Sequence, residues 1–142
     1  MSSPAIEASL SHGGRLRVGI DVVQISRIAQ SLERFGDRFI QRLFTADEIA
    51  YAQQGTGLAA ERLAARFAAK EAALKAFDLG NEGVDWRDIE VRKLPSGACR
   101  LALHGKAAEL AGRRGVDEIA LSLSHDGDYA TAVVTALRPE HS

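Results

Sequence analysis

The stretch from Ala59 to Phe77 constrains the fold of this chain more than any other. It contains neither glycine nor proline and is mostly Ala, Leu, Lys, Glu and Arg, all good helix formers. It predicts one long helix with an apolar stripe at Leu63, Phe67, Leu74 and Phe77. A stripe of that length needs a surface to bury it, and the remaining sequence supplies strands for the purpose. Leu16 to Ile25 reads as the first, with Val18, Ile20 and Val22 on one face and Gly19, Asp21 and Val23 on the other.

Helical spacing takes over at Ile25, Ile28, Leu32 and Phe35, until Gly36 interrupts it; a short helical piece follows through Phe39, Ile40 and Leu43. Thr45-Ala46-Asp47-Glu48 has the capping-box pattern and predicts a helix from Ala46 to Gln53. Gly55 and Gly57 mark a loop, and Gly80 and Gly83 are expected to end the long helix. Beyond them, Ile89, Val91 and Leu94 suggest a strand, Pro95-Ser96-Gly97 a turn, and Arg100 to His104 a returning strand. Gly105 to Arg114 reads as a helix. Ile119, Leu121 and Leu123 alternate with small residues, and Asp126-Gly127 signals a hairpin to a partner strand from Tyr129 to Leu137. Strands and helices mix without regular βαβ alternation, which predicts an α+β fold: a mainly antiparallel sheet packed against the long helix. One domain, residues 15–138, is expected after a loose Ser-, Ala- and Gly-rich tail from Met1 to Gly14.

A chain of 142 residues with 46% hydrophobic and 26% charged residues can bury a real core, which argues against wholesale disorder. A net charge of −1 argues against nucleic acid held by bulk positive charge. No apolar run is long enough to cross a membrane, and Met1 to Gly14 lack the basic start and apolar centre of a signal peptide. The expected location is the cytoplasm, with neither membrane nor nucleic acid as partner. Cys99 is the single cysteine, so no internal disulfide or multi-cysteine metal site forms, which fits a reducing compartment.

Three residues stand out chemically. Asp21 lies in a strand between Ile20 and Val22, where it either binds a cation or basic group or is a strand-end acid facing water. Glu71 sits on the flank of the apolar stripe, with Lys75 one turn later; this is a site carboxylate or an ordinary helical Glu–Lys pair. His125 closes an alternating strand before a tight turn, a position that suits either a functional or a structural side chain. Two carboxylates on regular elements can hold one hard cation, because Mg²⁺ often takes only one or two from the protein and completes its shell with water and phosphate oxygens. No P-loop and no dinucleotide-binding glycine pattern is present. Arg62, Arg66, Lys70 and Lys75 can meet phosphates or form a solvated charged face.

Val18-Gly19-Ile20-Asp21-Val22-Val23 with Ile25-Ser26-Arg27-Ile28 resembles the amino-terminal signature of the holo-acyl-carrier-protein synthases. Arg66-Phe67-Ala68-Ala69-Lys70-Glu71-Ala72 with Lys75-Ala76-Phe77 resembles their central helix motif, and Leu121-Ser122-Leu123-Ser124-His125-Asp126 their carboxy-terminal strand and turn. The likeness runs in order from about Arg15 to Leu137. It implies a single 4'-phosphopantetheinyl transferase domain of the small type, which moves the phosphopantetheine arm of coenzyme A onto a serine hydroxyl of apo acyl carrier protein. Adenosine 3',5'-bisphosphate is released, and the reaction serves fatty acid biosynthesis. A homotrimer with active sites between subunits is also implied.

By the same resemblance, Asp21 and Glu71 match the metal-binding carboxylates for Mg²⁺, and Lys75 matches a lysine near the reacting phosphate. Arg66 and His125, with Lys75, match positions lining the coenzyme A site, and Arg27 matches a position that meets the acidic carrier. Glu71 or a metal-bound water is the expected base for the carrier serine, with Glu71 and Lys75 carrying the catalysis. Gln24 stands where many members have Glu, and no role is assigned to it. From Arg15 to Arg42, six arginines face three acids, a balance suited to steering an acidic helix. Two readings stand beside this one: a transferase serving a polyketide or peptide-synthase carrier, and a non-catalytic module binding coenzyme A or a carrier. A Mg²⁺-dependent phosphohydrolase is a third.

Overall fold

A computed structural model describes residues 15–138. The expected tail, Met1 to Gly14, lies outside the described residues. The chain order is β1 (Leu16–Gln24), α1 (Ile25–Phe35), α2 (Asp37–Leu43), α3 (Ala46–Ala52), α4 (Ala59–Phe77), a 3₁₀ turn (Trp86–Asp88), β2 (Ile89–Lys93), β3 (Cys99–Leu103), α5 (Gly105–Arg113), β4 (Glu118–Asp126) and β5 (Tyr129–Leu137). The fold is α+β and every strand pairing is antiparallel. The strands do not form one set, however. β1, β5 and β4 make a three-stranded sheet in that order, and β2 pairs with β3 in a separate two-stranded sheet.

Helix α4 is the axis of the molecule, but its buried face is not the predicted stripe. Leu63 and Phe77 are buried, whereas Phe67 and Leu74 are only partly so. The contact surface is made instead by Ala64, Ala68, Ala69, Ala72, Ala73 and Ala76. Small side chains let the helix lie close on the sheet, where Ala130, Ala132 and Ala136 of β5 meet it with equally small ones. The approach is closest at β1: a Cβ placed on Gly19 would stand 1.9 Å from the Ala72 carbonyl oxygen. Only glycine fits there, and the strand is drawn against the helix at that point.

The helix ends at Phe77 as its pattern predicts, but not on the glycines expected to stop it. Asp78, not Gly80 or Gly83, takes the left-handed conformation (φ 57°) that turns the chain out of α4, and the Leu79 amide then donates to the Leu74 carbonyl at 2.8 Å. Aspartate tolerates this region better than most side chains, so the turn out of the helix needs no glycine.

The capping box at α3 forms as read. Thr45 Oγ1 accepts from the Glu48 amide at 3.2 Å, and Glu48 Oε1 accepts from the Thr45 amide at 2.9 Å. Glu48 does more than cap. Its Oε1 accepts from Lys70 Nζ at 2.8 Å and its Oε2 from the Val91 amide at 3.0 Å, with both side chains fully enclosed. Lys70 also donates to the Trp86 and Ile89 carbonyls. It is therefore a structural cation, unavailable to the phosphates that sequence reasoning offered it.

Helix α1 has no capping side chain of its own. Its cap comes from the β4–β5 hairpin: Asp128 accepts from the Ser26 amide at 2.9 Å and from the Ser26 hydroxyl at 2.6 Å. These bonds hold the Asp128 carboxyl below the usual carboxylate range, the Ser26 hydroxyl contributing most and the Gln24 side chain adding to it.

Candidate active site

The close contact at Gly19 sets up an acidic cleft. Asp21, two residues on and on the same face of β1, is aimed at the flank of α4 that carries Glu71 and Lys75. Lys75 does not form the ordinary helical pair with Glu71. Its ammonium reaches across to β1, donating to Asp21 Oδ1 and to the Ile20 carbonyl, each at 3.0 Å. Glu71 is left half-buried without a hydrogen-bonded cation. Its carboxyl is held above the ordinary glutamate range, first by desolvation and then by the charge of Asp21, with Lys75 opposing both. The cleft, of about 580 Å³, is lined by Asp21, Gln24, Arg27, Phe67, Glu71 and Tyr129 among others.

This donor set fits a hard divalent cation. Two carboxylates face one opening, and their mutual charge raises the proton affinity of one of them, a cost that a bound cation removes. Among the described residues no group of three or more His, Cys, Asp or Glu converges.

A second cleft, of about 360 Å³, is basic. Arg62, Arg66 and Lys93 line it with Tyr51, Cys99 and His125. Arg66 is 3% exposed and its Nε has no partner; burial is the main force lowering its pKa. Its guanidinium lies 4.1 Å from the Tyr51 ring centroid. His125, at the end of β4, places Nε2 2.7 Å from Glu61 Oε1.

The predicted site residues thus fall into two groups on one chain. Asp21, Glu71, Lys75 and Arg27 gather at or beside the acidic cleft, and Arg66 and His125 at the basic one; the residues lining the two clefts do not overlap. Sequence reasoning missed Tyr51, Lys93 and Glu61. Tyr51 had a usable signal, since the capping box fixes α3 and Tyr51 lies one turn after its Glu48. Lys93 becomes visible only when the β2–β3 sheet brings it near α3.

The sequence model described as the 4'-phosphopantetheinyl transferase superfamily matches residues 17–134. The chain belongs to this family. It is accordingly an enzyme, a transferase of the phosphopantetheinyl class. Holo-acyl-carrier-protein synthase of Koribacter versatilis is 51% identical over 120 residues, covering 84% of this chain and 95% of that one. The synthase of Desulforudis audaxviator is 44% identical over 127 residues, covering 89% and 96%. Among solved structures, the Chronobacterium ammoniagenes ACPS–CoA complex superposes with a TM-score of 0.78 at 37% identity, covering 88% of this chain and 98% of that one. The Helicobacter pylori synthase in complex with coenzyme A gives 0.73 at 31% identity, covering 84% and 98%.

Proposed function

We propose that this transferase works as a Mg²⁺-dependent homotrimer whose active sites pair the acidic cleft of one subunit with the basic cleft of the next. The reaction moves 4'-phosphopantetheine from coenzyme A to a serine hydroxyl of apo acyl carrier protein and releases adenosine 3',5'-bisphosphate. The observation that carries the reading is the meeting of Asp21 and Glu71 across the strand–helix contact at Gly19. Asp21 and Glu71 would hold the ion, which supplies positive charge to the pyrophosphate. Lys75, anchored on Asp21 and the Ile20 carbonyl, adds a fixed cation beside it. Glu71 is the lining residue whose proton affinity is raised, so it is placed to take the proton of the incoming serine. Arg66 and His125 bind the nucleotide end.

Assembly has its own support. Leu16, Val18, Ile20 and Val22 project from the outer face of β1 and are 72%, 63%, 57% and 58% exposed. Four apolar side chains in one row on an edge strand form a surface that seeks a cover, and a copy of the chain supplies one. Bringing copies together also offers a partner to each half-site. The carrier is assigned to the α1–α2 face. Exposed Arg27 borders the acidic cleft, and Arg38 and Arg42 line an adjoining groove with Phe35 and Phe39. Among the described residues no helix is long and apolar enough to cross a membrane, and we assign the enzyme to the cytoplasm.

Intact mass of apo acyl carrier protein after incubation with enzyme, coenzyme A and Mg²⁺ tests the activity. The expected result is a phosphopantetheine gain, lost in Asp21→Ala and Glu71→Ala. No gain with fatty-acid, polyketide or peptide-synthase carriers would overturn it. Mixing inactive Asp21→Ala and Arg66→Ala subunits tests the shared site: composite sites regain activity, and sites built within one chain do not. Raised ionic strength should raise the Michaelis constant for the carrier if the arginine face steers it.

A further inference from the structure

Helix α1 is thinly anchored for an element that borders the acidic cleft. Of its eleven residues only Ile28 is buried, its first turn carries no acid, and Gln24 gives it no side-chain cap. Asp128, 102 positions on from Ser26, supplies what is lacking. Its carbonyl accepts from the Ile25 amide at 2.7 Å. Its carboxylate oxygens accept from the Ser26 amide at 2.9 Å and from the Ser26 hydroxyl at 2.6 Å. The Gln24 side chain bonds the same carboxyl. One residue thus takes two of the amides that a helix N-terminus leaves unbonded, and ties down the residue before them. Asp128 itself is firmly placed. It belongs to the two-residue turn Gly127–Asp128 between β4 and β5, with Gly127 at the positive φ (56°) that such a turn demands. Gln24 and Arg27 bracket the tied pair Ile25 and Ser26, and both line the acidic cleft, as does Tyr129, the neighbour of Asp128.

We infer that Asp128 is a positioning residue for carrier docking: by clamping the first turn of α1 to the β4–β5 hairpin, it holds Arg27 at the edge of the acidic cleft, where an acidic carrier meets it. The inference rests on the assignment of the carrier to the α1–α2 face. Its sign separates it from a direct charge effect. A carboxylate beside an exposed arginine repels an acidic partner, so as a bare charge Asp128 would weaken carrier binding, and its loss would tighten it. As a clamp it acts the other way. Its loss frees the first turn of α1, binding must then also order Arg27, and affinity falls. The carboxyl titrates below the usual carboxylate range, the Ser26 hydroxyl being the main cause, so the clamp stays ionised at neutral pH.

The test is steady-state kinetics with apo acyl carrier protein and coenzyme A on Asp128→Ala, Asp128→Asn, Arg27→Ala and the double variant Asp128→Ala/Arg27→Ala. Asp128→Ala should raise the Michaelis constant for the carrier about fivefold, the factor that loss of one helix cap represents. It should leave kcat and the Michaelis constant for coenzyme A within about twofold. Asp128→Asn should recover most of the loss, since Asn keeps an acceptor for the Ser26 amide and caps as well as Asp. In the Arg27→Ala background, Asp128→Ala should add less than about twofold, because a clamp that acts through Arg27 then has nothing to position. A carrier Michaelis constant that falls or stays unchanged in Asp128→Ala, or that rises together with the one for coenzyme A, overturns the role of Asp128 and leaves the transferase reading intact. So does an Asn variant as impaired as the Ala variant, or full additivity with Arg27→Ala. An Arg27→Ala enzyme with an unchanged Michaelis constant for the carrier overturns the assignment of the carrier face, and the inference with it. If Asp128→Ala does not fold, Ser26→Ala, which removes only the hydroxyl bond, decides by the same outcomes with an expected rise of about threefold.

Discussion

Lys70 and Glu71 are neighbours in sequence, yet the structure uses them in opposite ways. Lys70 points inward and meets Glu48 and two carbonyls in a dry, fully paired network. Glu71 points to the cleft and meets Asp21, a charge of its own sign, with Lys75 committed to Asp21. Both groups carry depressed charge: burial lowers the Lys70 pKa and raises that of Glu71. Only Lys70 has its loss made good by the protein. A charge whose partners are all in place belongs to the scaffold, and one left in deficit is a candidate for an outside ion or substrate, the role proposed for Glu71.

The largest effect expected from this contrast is on the scaffold side. Lys70→Met strands Glu48 as a buried charge and should cost about 3–5 kcal/mol of stability by denaturant unfolding. Adding Glu48→Leu should return much of that, since the apolar pair leaves no charge unpaired. Next, Glu71→Gln should lower kcat by roughly 10²–10³ while leaving the unfolding midpoint unchanged or higher. Equal behaviour of the two variants would erase the distinction. Gly19→Ala comes third, at about 1–3 kcal/mol, because its methyl meets the Ala72 carbonyl and the strand must move. The smallest effect is in pH. With its pKa raised in the fold, Glu71 binds a proton more readily there than in the unfolded chain, so its contribution to stability falls as pH rises through the folded value. Without Mg²⁺, that slope should appear above the ordinary glutamate range in wild type and vanish in Glu71→Gln. With Mg²⁺ present it should move to lower pH, as measured by thermal unfolding.

Much of this was legible from local pattern. The capping box, the glycine-free helix and the Asp126-Gly127 hairpin are set by neighbouring residues, and each formed where its pattern put it. The arrangement of strands into two sheets was not legible, because pairing between β1 and β5 joins residues more than a hundred positions apart and no short-range signal specifies it. The inward turn of Lys70 was equally hidden. Helical periodicity assigns a lysine to solvent, and only the arrival of Glu48 and the Trp86 and Ile89 carbonyls reverses that. Asp21 was the proposed site residue most open to inference, since an acid within an apolar strand calls for a partner. The basic cleft was the least, as Tyr51, Arg66 and Lys93 come together from three elements. The cap that Asp128 places on α1 is likewise a purely tertiary bond.

Gly19 acts as a gauge as well as a close contact. Asp21 lies two residues beyond it on β1, and Glu71 immediately precedes Ala72, whose carbonyl Gly19 touches. The gap between the two carboxylates is therefore fixed by main chain pressed on main chain, which yields far less than a pair of side chains does. If those two carboxylates hold an ion as proposed, the backbone contact rather than a side-chain pair sets the distance between the elements that carry them.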